Sequence, residues 1–360
     1  MPAIHQFVAG FSNGDAISNE ARVLRGIFRS WGYTAEIFSE PQRILPELRS
    51  EAHDALACRE TLRADDVVLL HLSIGSAVNE TFAALPCRKV ILYHNVTPPE
   101  YFEFINKEIA HNLALGRRQV RSLAASADLT LADSRFNAEE LRDMGYRDVE
   151  VLPLVLDLER LRDAPDRRIL KRFRDGRVNV LFVGRCVPNK RIEDALRVFS
   201  IFVRTVEPHA RFIHVGSYNG TERYYYFLLS HARELGLEHV VFTGSVPQHA
   251  LNAYYRCADL FLCMSEHEGF CIPLIESMVH GVPVLAVAAA AVPETMERSG
   301  VLFADRNPGP IAETMGRVVR DSDLRRALVL RQNQRLAAYA ERDLEAELKR
   351  HMTPVRPDLR

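Results

Sequence analysis

The sequence predicts an α/β protein of two domains, each a parallel sheet covered on both faces by helices. Two observations carry this. Short apolar strands alternate with amphipathic helical segments along the whole chain, the pattern of a doubly covered parallel sheet. The length, 360 residues, exceeds one ordinary core and suits two domains of roughly 150–180 residues each. In the first half, strands are expected at 3–11, 34–39, 67–73, 89–95, 129–134 and 149–154. The second half repeats the scheme at 178–185, 210–217, 240–246, 260–265 and 283–288. Between them runs a charge-dense stretch from Leu158 to Asn179 holding Pro165, read as a solvated linker and helix face. Beyond about Asp321 the pattern is helical as far as His351. The expected division is therefore residues 1–160, 161–335 and a terminal helix, 336–360.

Composition excludes several classes. The 46 basic and 47 acidic residues nearly cancel, which argues against a nucleic-acid binder, since such proteins carry a basic excess. Only five of the basic residues are lysines, a hint of a GC-rich bacterial genome. The six cysteines form no C-x-x-C pair and sit mostly in apolar runs, as reduced core thiols do. With neither a signal-like N-terminus nor an apolar run of membrane-spanning length, the expectation is a cytoplasmic protein. Arg117, Arg118 and Arg121 lie on an apolar helical pattern. They read as a solvated face, with weak contact to an anionic membrane surface as the alternative.

The most informative segment places two carboxylates eight positions apart, Glu268 and Glu276, after the apolar run Leu260–Ser265. Gly269 loosens the turn, Pro273 suits the first turn of a helix and Gly281 its end. The N–H groups of Gly269, Phe270 and Cys271 can face a ligand at the positive end of that helix. Upstream, the apolar run 178–183 ends in Gly184-Arg185, with Lys190 five residues on. Two cations at a strand end can neutralise the charge of an anionic ligand. In open α/β sheets ligands bind at the carboxyl ends of strands, and each of these motifs falls there.

Glu268-Gly-Phe with Glu276 resembles the donor-sugar signature of retaining glycosyltransferases of family four, which have two Rossmann-like domains facing a central cleft, the GT-B type. The stretch from Val178 to Leu196 resembles the first strand of the same family's donor domain. The resemblance is close in the second half and loose in the first. It implies transfer of a hexosyl unit from a UDP- or GDP-sugar to a glycan or small-molecule hydroxyl acceptor, in bacterial envelope or polysaccharide synthesis. It implies no metal and no cofactor beyond the nucleotide-sugar co-substrate. Glu268 would bind sugar hydroxyls, Glu276 the ribose, and Arg185 with Lys190 the diphosphate. His94, ending the strand at 89–95, would face the donor sugar. Gly216 would lie near the nucleotide, and backbone near Val246 would read the base. The family's glycine-rich first loop corresponds to Gly10–Ser18, where Gly14 alone precedes Asp15, a departure from the usual double glycine that bears on phosphate or acceptor contact.

Other chemistries are unsupported. No P-loop and no G-x-G-x-x-G follows a strand, no G-x-S-x-G elbow accompanies His71 and Ser73, and the thirteen histidines show no zinc spacing. The one Asp-x-Asp triplet, Asp321 and Asp323, reads as a helix cap. Two alternatives remain at this point: a sugar-nucleotide epimerase of similar architecture, and a non-catalytic nucleotide-sugar-binding protein.

Overall fold

The computed structural model describes residues 3–358. The first sheet is made of β1 (Ile4–Val8), β2 (Ile37–Ser39), β3 (Ala52–Asp54), β4 (Val67–Leu72), β5 (Arg88–Tyr93), β6 (Leu129–Ala132) and β7 (Val149–Val151). Its order is β3-β2-β1-β4-β5-β6-β7, parallel throughout. The second sheet contains β8 (Asn179–Val183), β9 (Arg211–Val215), β10 (Val240–Phe242), β11 (Leu260–Cys263), β12 (Val284–Val287) and β13 (Val301–Phe303), in the order β10-β9-β8-β11-β12-β13, again parallel.

All eleven expected strands are present, and two were not foreseen. β3 (Ala-His-Asp) and β13 (Val-Leu-Phe) are three-residue edge strands, too short to show a period, and one is largely polar. The central strands are legible because both of their faces are covered. β4 reads Val-Val-Leu-Leu-His-Leu with every residue buried, a continuous run rather than an alternation.

The chain separates into two compact units. One takes in the chain up to Glu100, Lys107–Leu156 and the chain from Asp343; the other holds Tyr101–Asn106 and Asp157–Arg342. The core of the first unit gathers Leu24 and Phe28 of the helix Ala16–Ser30 with Val67, Leu69, Val90, Leu92 and Leu131 of the sheet. Leu348, Met352 and Val355 from the last part of the chain join it. That last part is also tied by Trp31 Nε1 donating to Glu345 (2.7 Å) and by Arg88 donating to the Val355 carbonyl (2.7 Å).

The charge-dense stretch after Leu158 is less solvated than its composition implies. Carbonyls of Arg160 and Asp163 accept from Asn252, and those of Arg162 and Asp163 from Arg256. Arg117 likewise turns inward, donating to the Val96 carbonyl (2.8 Å) and pairing with Glu140 (2.9 Å), while Arg118 and Arg121 stay exposed. No helix among the described residues is long and apolar enough to cross a membrane. Asp321 caps the helix Ser322–Ala340, accepting from the N–H groups of Asp323 and Leu324.

Candidate active site

In the second sheet the strand order reverses between β8 and β11, and the crevice beyond such a switch point is where ligands of open α/β sheets bind. The segments leaving these two strands carry the motifs singled out above. They are zipped together by Glu266 N–H donating to the Asn189 carbonyl (2.9 Å) and Asn189 Nδ2 donating to the His267 carbonyl (3.0 Å). Asn189 is buried and absent from the sequence reading, because nothing in its local pattern distinguishes it from an ordinary turn residue.

This seam sets Lys190 against Glu268. The ammonium donates to Oε2 at 2.5 Å, with both side chains largely buried. Burial opposes the charge on Lys190, yet the charge and hydrogen bond of Glu268, together with the neighbouring Cys271 and Cys263, outweigh it and hold the lysine above its usual value. Two residues expected to contact separate parts of one ligand are thus each other's partners. Cys263 and Cys271 place their sulfurs, with a Glu268 oxygen, within 4.8 Å of one another. Such a trio could hold a cation, but the Lys190 ammonium already supplies positive charge against Glu268.

Arg185 follows β8 and is exposed, with no ion-pair partner among the described residues. It is therefore available to an external anion. The amides of Gly269, Phe270 and Cys271 also find no acceptor among the described residues, and they precede the helix Ile272–Val279, in which Pro273 sits in the first turn. One detail departs from expectation: the left-handed residue of this turn is Cys271 (φ 73°), not Gly269. Phe270 and Cys271 are buried. Phe270 packs near Tyr339 (ring centroids 6.2 Å), and its carbonyl accepts from Thr295.

Glu276 lies one helical stretch further on and accepts from the Tyr255 hydroxyl at 2.6 Å. Burial lifts its pKa above the usual carboxylate range, against the opposing effects of that hydrogen bond and of Arg160. Tyr255, itself buried and stacked on His280 (5.1 Å), was not foreseen; a tyrosine in an apolar helix carries no signal of its partner. Gly216 directly follows β9 at φ 157°, and a Cβ there would stand 1.8 Å from the Gly184 carbonyl oxygen. The glycine therefore permits the close approach of the β8 and β9 ends. Val246 is half-buried, directly before Pro247 and the helix Gln248–Cys257.

The first sheet reverses its order between β1 and β4. A cavity of about 240 Å³ lies there, lined by Gly10, Phe11, Ser12, Asp15, Arg43 and Ser73 among others. Gly14 is exposed at φ 75°. Asp15 caps the helix Ala16–Ser30, accepting from the N–H (2.8 Å) and hydroxyl (2.7 Å) of Ser18. The carboxylate expected to meet a ligand has structural partners of its own. His94 directly follows β5 and its side chain is buried; the ring stacks on His71 (5.2 Å) and hydrogen-bonds within the unit.

Residues 166–335 match the family of glycosyl transferases group 1. The matched stretch makes up most of the second unit, which is thus similar to a group 1 glycosyl transferase domain. Among curated relatives, the chain is 30% identical over 224 residues to D-inositol 3-phosphate glycosyltransferase of Frankia alni, covering 59% of this chain and 55% of the relative. It is 30% identical over 188 residues to the GDP-mannose-dependent alpha-(1-6)-phosphatidylinositol monomannoside mannosyltransferase of Mycobacterium tuberculosis, covering 49% and 48%. The chain thus spans about half the length of these relatives. Among solved structures, Anabaena HepE in complex with UDP-glucose superposes with a TM-score of 0.74 at 17% identity, covering 97% of this chain and 98% of HepE. Sucrose-phosphate synthase from Thermosynechococcus elongatus gives 0.73 at 17%, covering 97% and 98%. At that identity the likeness shows the fold, GT-B. The matched stretch contains Arg185, Lys190, Gly216, Val246, Glu268 and Glu276.

Proposed function

We propose that the protein is a retaining, metal-independent glycosyltransferase that moves a hexosyl unit from a UDP- or GDP-sugar to a hydroxyl acceptor. The observation that carries this is the switch-point crevice of the second unit. There an exposed Arg185, the Lys190–Glu268 pair and three unused amides before a helix gather within a matched group 1 domain. A leaving diphosphate needs fixed positive charge and hydrogen-bond donors where its charge grows, and this crevice supplies both. Glu268 binds the sugar hydroxyls and, through Lys190, couples sugar to phosphate; Glu276, oriented by Tyr255, takes the ribose. Val246 and the Gly216 turn border the base. His94 acts from the first unit, and Gly14 with Asp15 borders the acceptor side. The similar proteins named above act on inositol phosphate or a phosphatidylinositol mannoside, or bind UDP-glucose. A polyhydroxylated acceptor in bacterial envelope or polysaccharide synthesis fits that company.

The carboxylate nearest the proposed sugar site, Glu268, is engaged by Lys190, and retention by same-face attack, with the departing phosphate taking the acceptor's proton, needs no covalent nucleophile. An epimerase would alter the donor without an acceptor, and a binding module would leave it intact. A thermal-shift panel of nucleotide sugars, followed by product analysis with and without acceptor, separates the three. Slow donor hydrolysis in water with retained sugar configuration supports transfer; an epimerised donor or none consumed refutes it. On the same panel, Glu276→Ala is expected to weaken nucleotide diphosphate binding by about 1.5–3 kcal/mol, read by calorimetry.

A further inference from the structure

Five elements of the first unit bring polar side chains together at the carboxyl end of its central strands. They are Gln6 of β1, Glu20 of the helix Ala16–Ser30, His71 of β4, His94 after β5 and Asp133 after β6, each with a buried side chain. The hydrogens along this chain can be assigned from one end. The carbonyl oxygen of Ala21 only accepts, so the Gln6 atom 2.9 Å away is the amide nitrogen, and Oε1 is left to face His71 Nε2 at 2.9 Å. An amide oxygen also only accepts. His71 Nε2 therefore carries a hydrogen.

The other nitrogen of His71, Nδ1, lies 2.9 Å from His94 Nε2, a separation that needs one hydrogen between them. The separation is also shorter than the roughly 3.4 Å between two nitrogens bound to a tetrahedral zinc at about 2.0–2.1 Å each, so the contact is a hydrogen bond. His94 Nδ1 faces Asp133 Oδ2 at 3.4 Å, and the second oxygen of Asp133 accepts from Asn137. Acidic groups face the two rings: Glu20 Oε2 lies 3.5 Å from His94 Nε2 and 3.7 Å from His71 Nδ1, and Asp133 and Asp15 add their fields at His94.

We propose that His94 is held as an imidazolium, donating from Nε2 to His71 and from Nδ1 to Asp133, and that Gln6, His71, Glu20 and Asp133 are positioning residues that keep it so. Electrostatics agree with the geometry. Burial lowers His94, but the Asp133 hydrogen bond and the charges of Glu20, Asp133 and Asp15 outweigh it and leave the ring above its ordinary value. Burial and the charge on His94 leave His71 well below. With both nitrogens donating inward, His94 cannot accept a proton during a reaction. It supplies a fixed positive charge at a strand end, in keeping with a transfer whose proton goes to the departing phosphate. The hydrogen-bond chain sets one hydrogen between the two rings, and the carboxylates of Glu20 and Asp133 at 3.5 and 3.4 Å place the charge on His94; its catalytic use rests on the glycosyltransferase reading.

Histidine-labelled ¹⁵N spectra of the full chain test the first part, with His71→Gln and His94→Gln providing the assignments. At pH 7.5 His94 is expected to show two protonated nitrogens and His71 the neutral Nε2–H form. A neutral His94, or a His71 protonated on Nδ1 alone, overturns the proposal whatever the enzyme's activity. Asp133→Asn tests the second part. The His94 titration should fall by about one pH unit or more, and the alkaline limb of donor turnover, read with UDP-glucose and GDP-mannose, should fall with it while KM changes less than about twofold. Turnover by the unaltered protein with an unmoved limb in Asp133→Asn would sink the positioning role and leave the glycosyltransferase reading standing. Consumption of neither donor nor of any other nucleotide sugar would refute that reading and leave the spectra to decide the protonation state.

Discussion

Glu268 and Lys190 illustrate how a site residue can be assigned from a motif yet do something the motif does not state. Separated by 78 positions, each is the other's countercharge in a largely buried place, so removing one leaves the second charge without compensation. Glu268→Ala and Lys190→Ala should each destabilise the protein, and the double variant should cost less than the sum, with a coupling of about 1–3 kcal/mol. Urea unfolding of the four proteins measures this; additivity within about 0.5 kcal/mol would show that the contact carries no energy. Turnover should fall about 10²-fold or more in Lys190→Ala and in Arg185→Ala, the scale of one lost preorganised partner. Arg185→Ala should leave stability nearly unchanged, because its guanidinium has no ion pair to lose.

Strand ends decide more than strand interiors do. Gly216 N–H donates to the Gly244 carbonyl (3.0 Å) and Gly184 N–H to that of Val215 (3.0 Å), so β8, β9 and β10 remain laced at their carboxyl ends where the nucleotide is proposed to bind. A methyl group at Gly216 would have to displace the Gly184 carbonyl, on a backbone angle that alanine disfavours. Gly216→Ala is therefore expected to lower unfolding stability by about 2 kcal/mol or more. Thermal unfolding with and without UDP checks it, and a variant as stable as the parent would show that the strand ends give way freely. Element existence was readable from apolar runs flanked by turn residues, which is why eleven strands were placed. β3 and β13 escaped because an edge strand held on one side needs neither length nor continuous apolarity.

Across the whole chain, buried histidines set the acid side of stability. His214 in β9 and His280 beyond the helix Ile272–Val279 are pushed by burial from 6.5 to about 4. For groups so lowered, the unfolded chain binds protons that the folded chain refuses. The stability they contribute is present above pH 6.5 and is lost as pH falls toward 4, at about 1.4 kcal/mol per unit for a fully buried ring. His94 runs the other way: its raised value contributes stability below pH 6.5 that is lost as pH climbs through the folded value. Unfolding midpoints from pH 7.5 to 4.5 should fall, and His214→Phe should flatten the decline; an unchanged slope would exclude His214 as a cause. Transfer activity should survive chelation by EDTA if, as proposed, Arg185, Lys190 and the amides of Gly269, Phe270 and Cys271 meet the diphosphate charge. Loss on chelation with recovery on adding magnesium or manganese would defeat that assignment.

The sequence by itself determined the α/β class, the succession of strands and helices, and the placing of the charged motifs at the carboxyl ends of strands. These follow from local periodicity and turn chemistry, which act over a few residues. Only the tertiary structure decided which of those charges face one another. Lys190 found Glu268 through a seam made by Asn189, Glu276 found Tyr255, Asp15 was taken by its own helix, and His94 joined a chain from five elements. Such partnerships depend on which strands the order β10-β9-β8-β11-β12-β13 or β3-β2-β1-β4-β5-β6-β7 makes adjacent. Buried polar groups must be paired, and the pairing is set by packing between segments far apart along the chain.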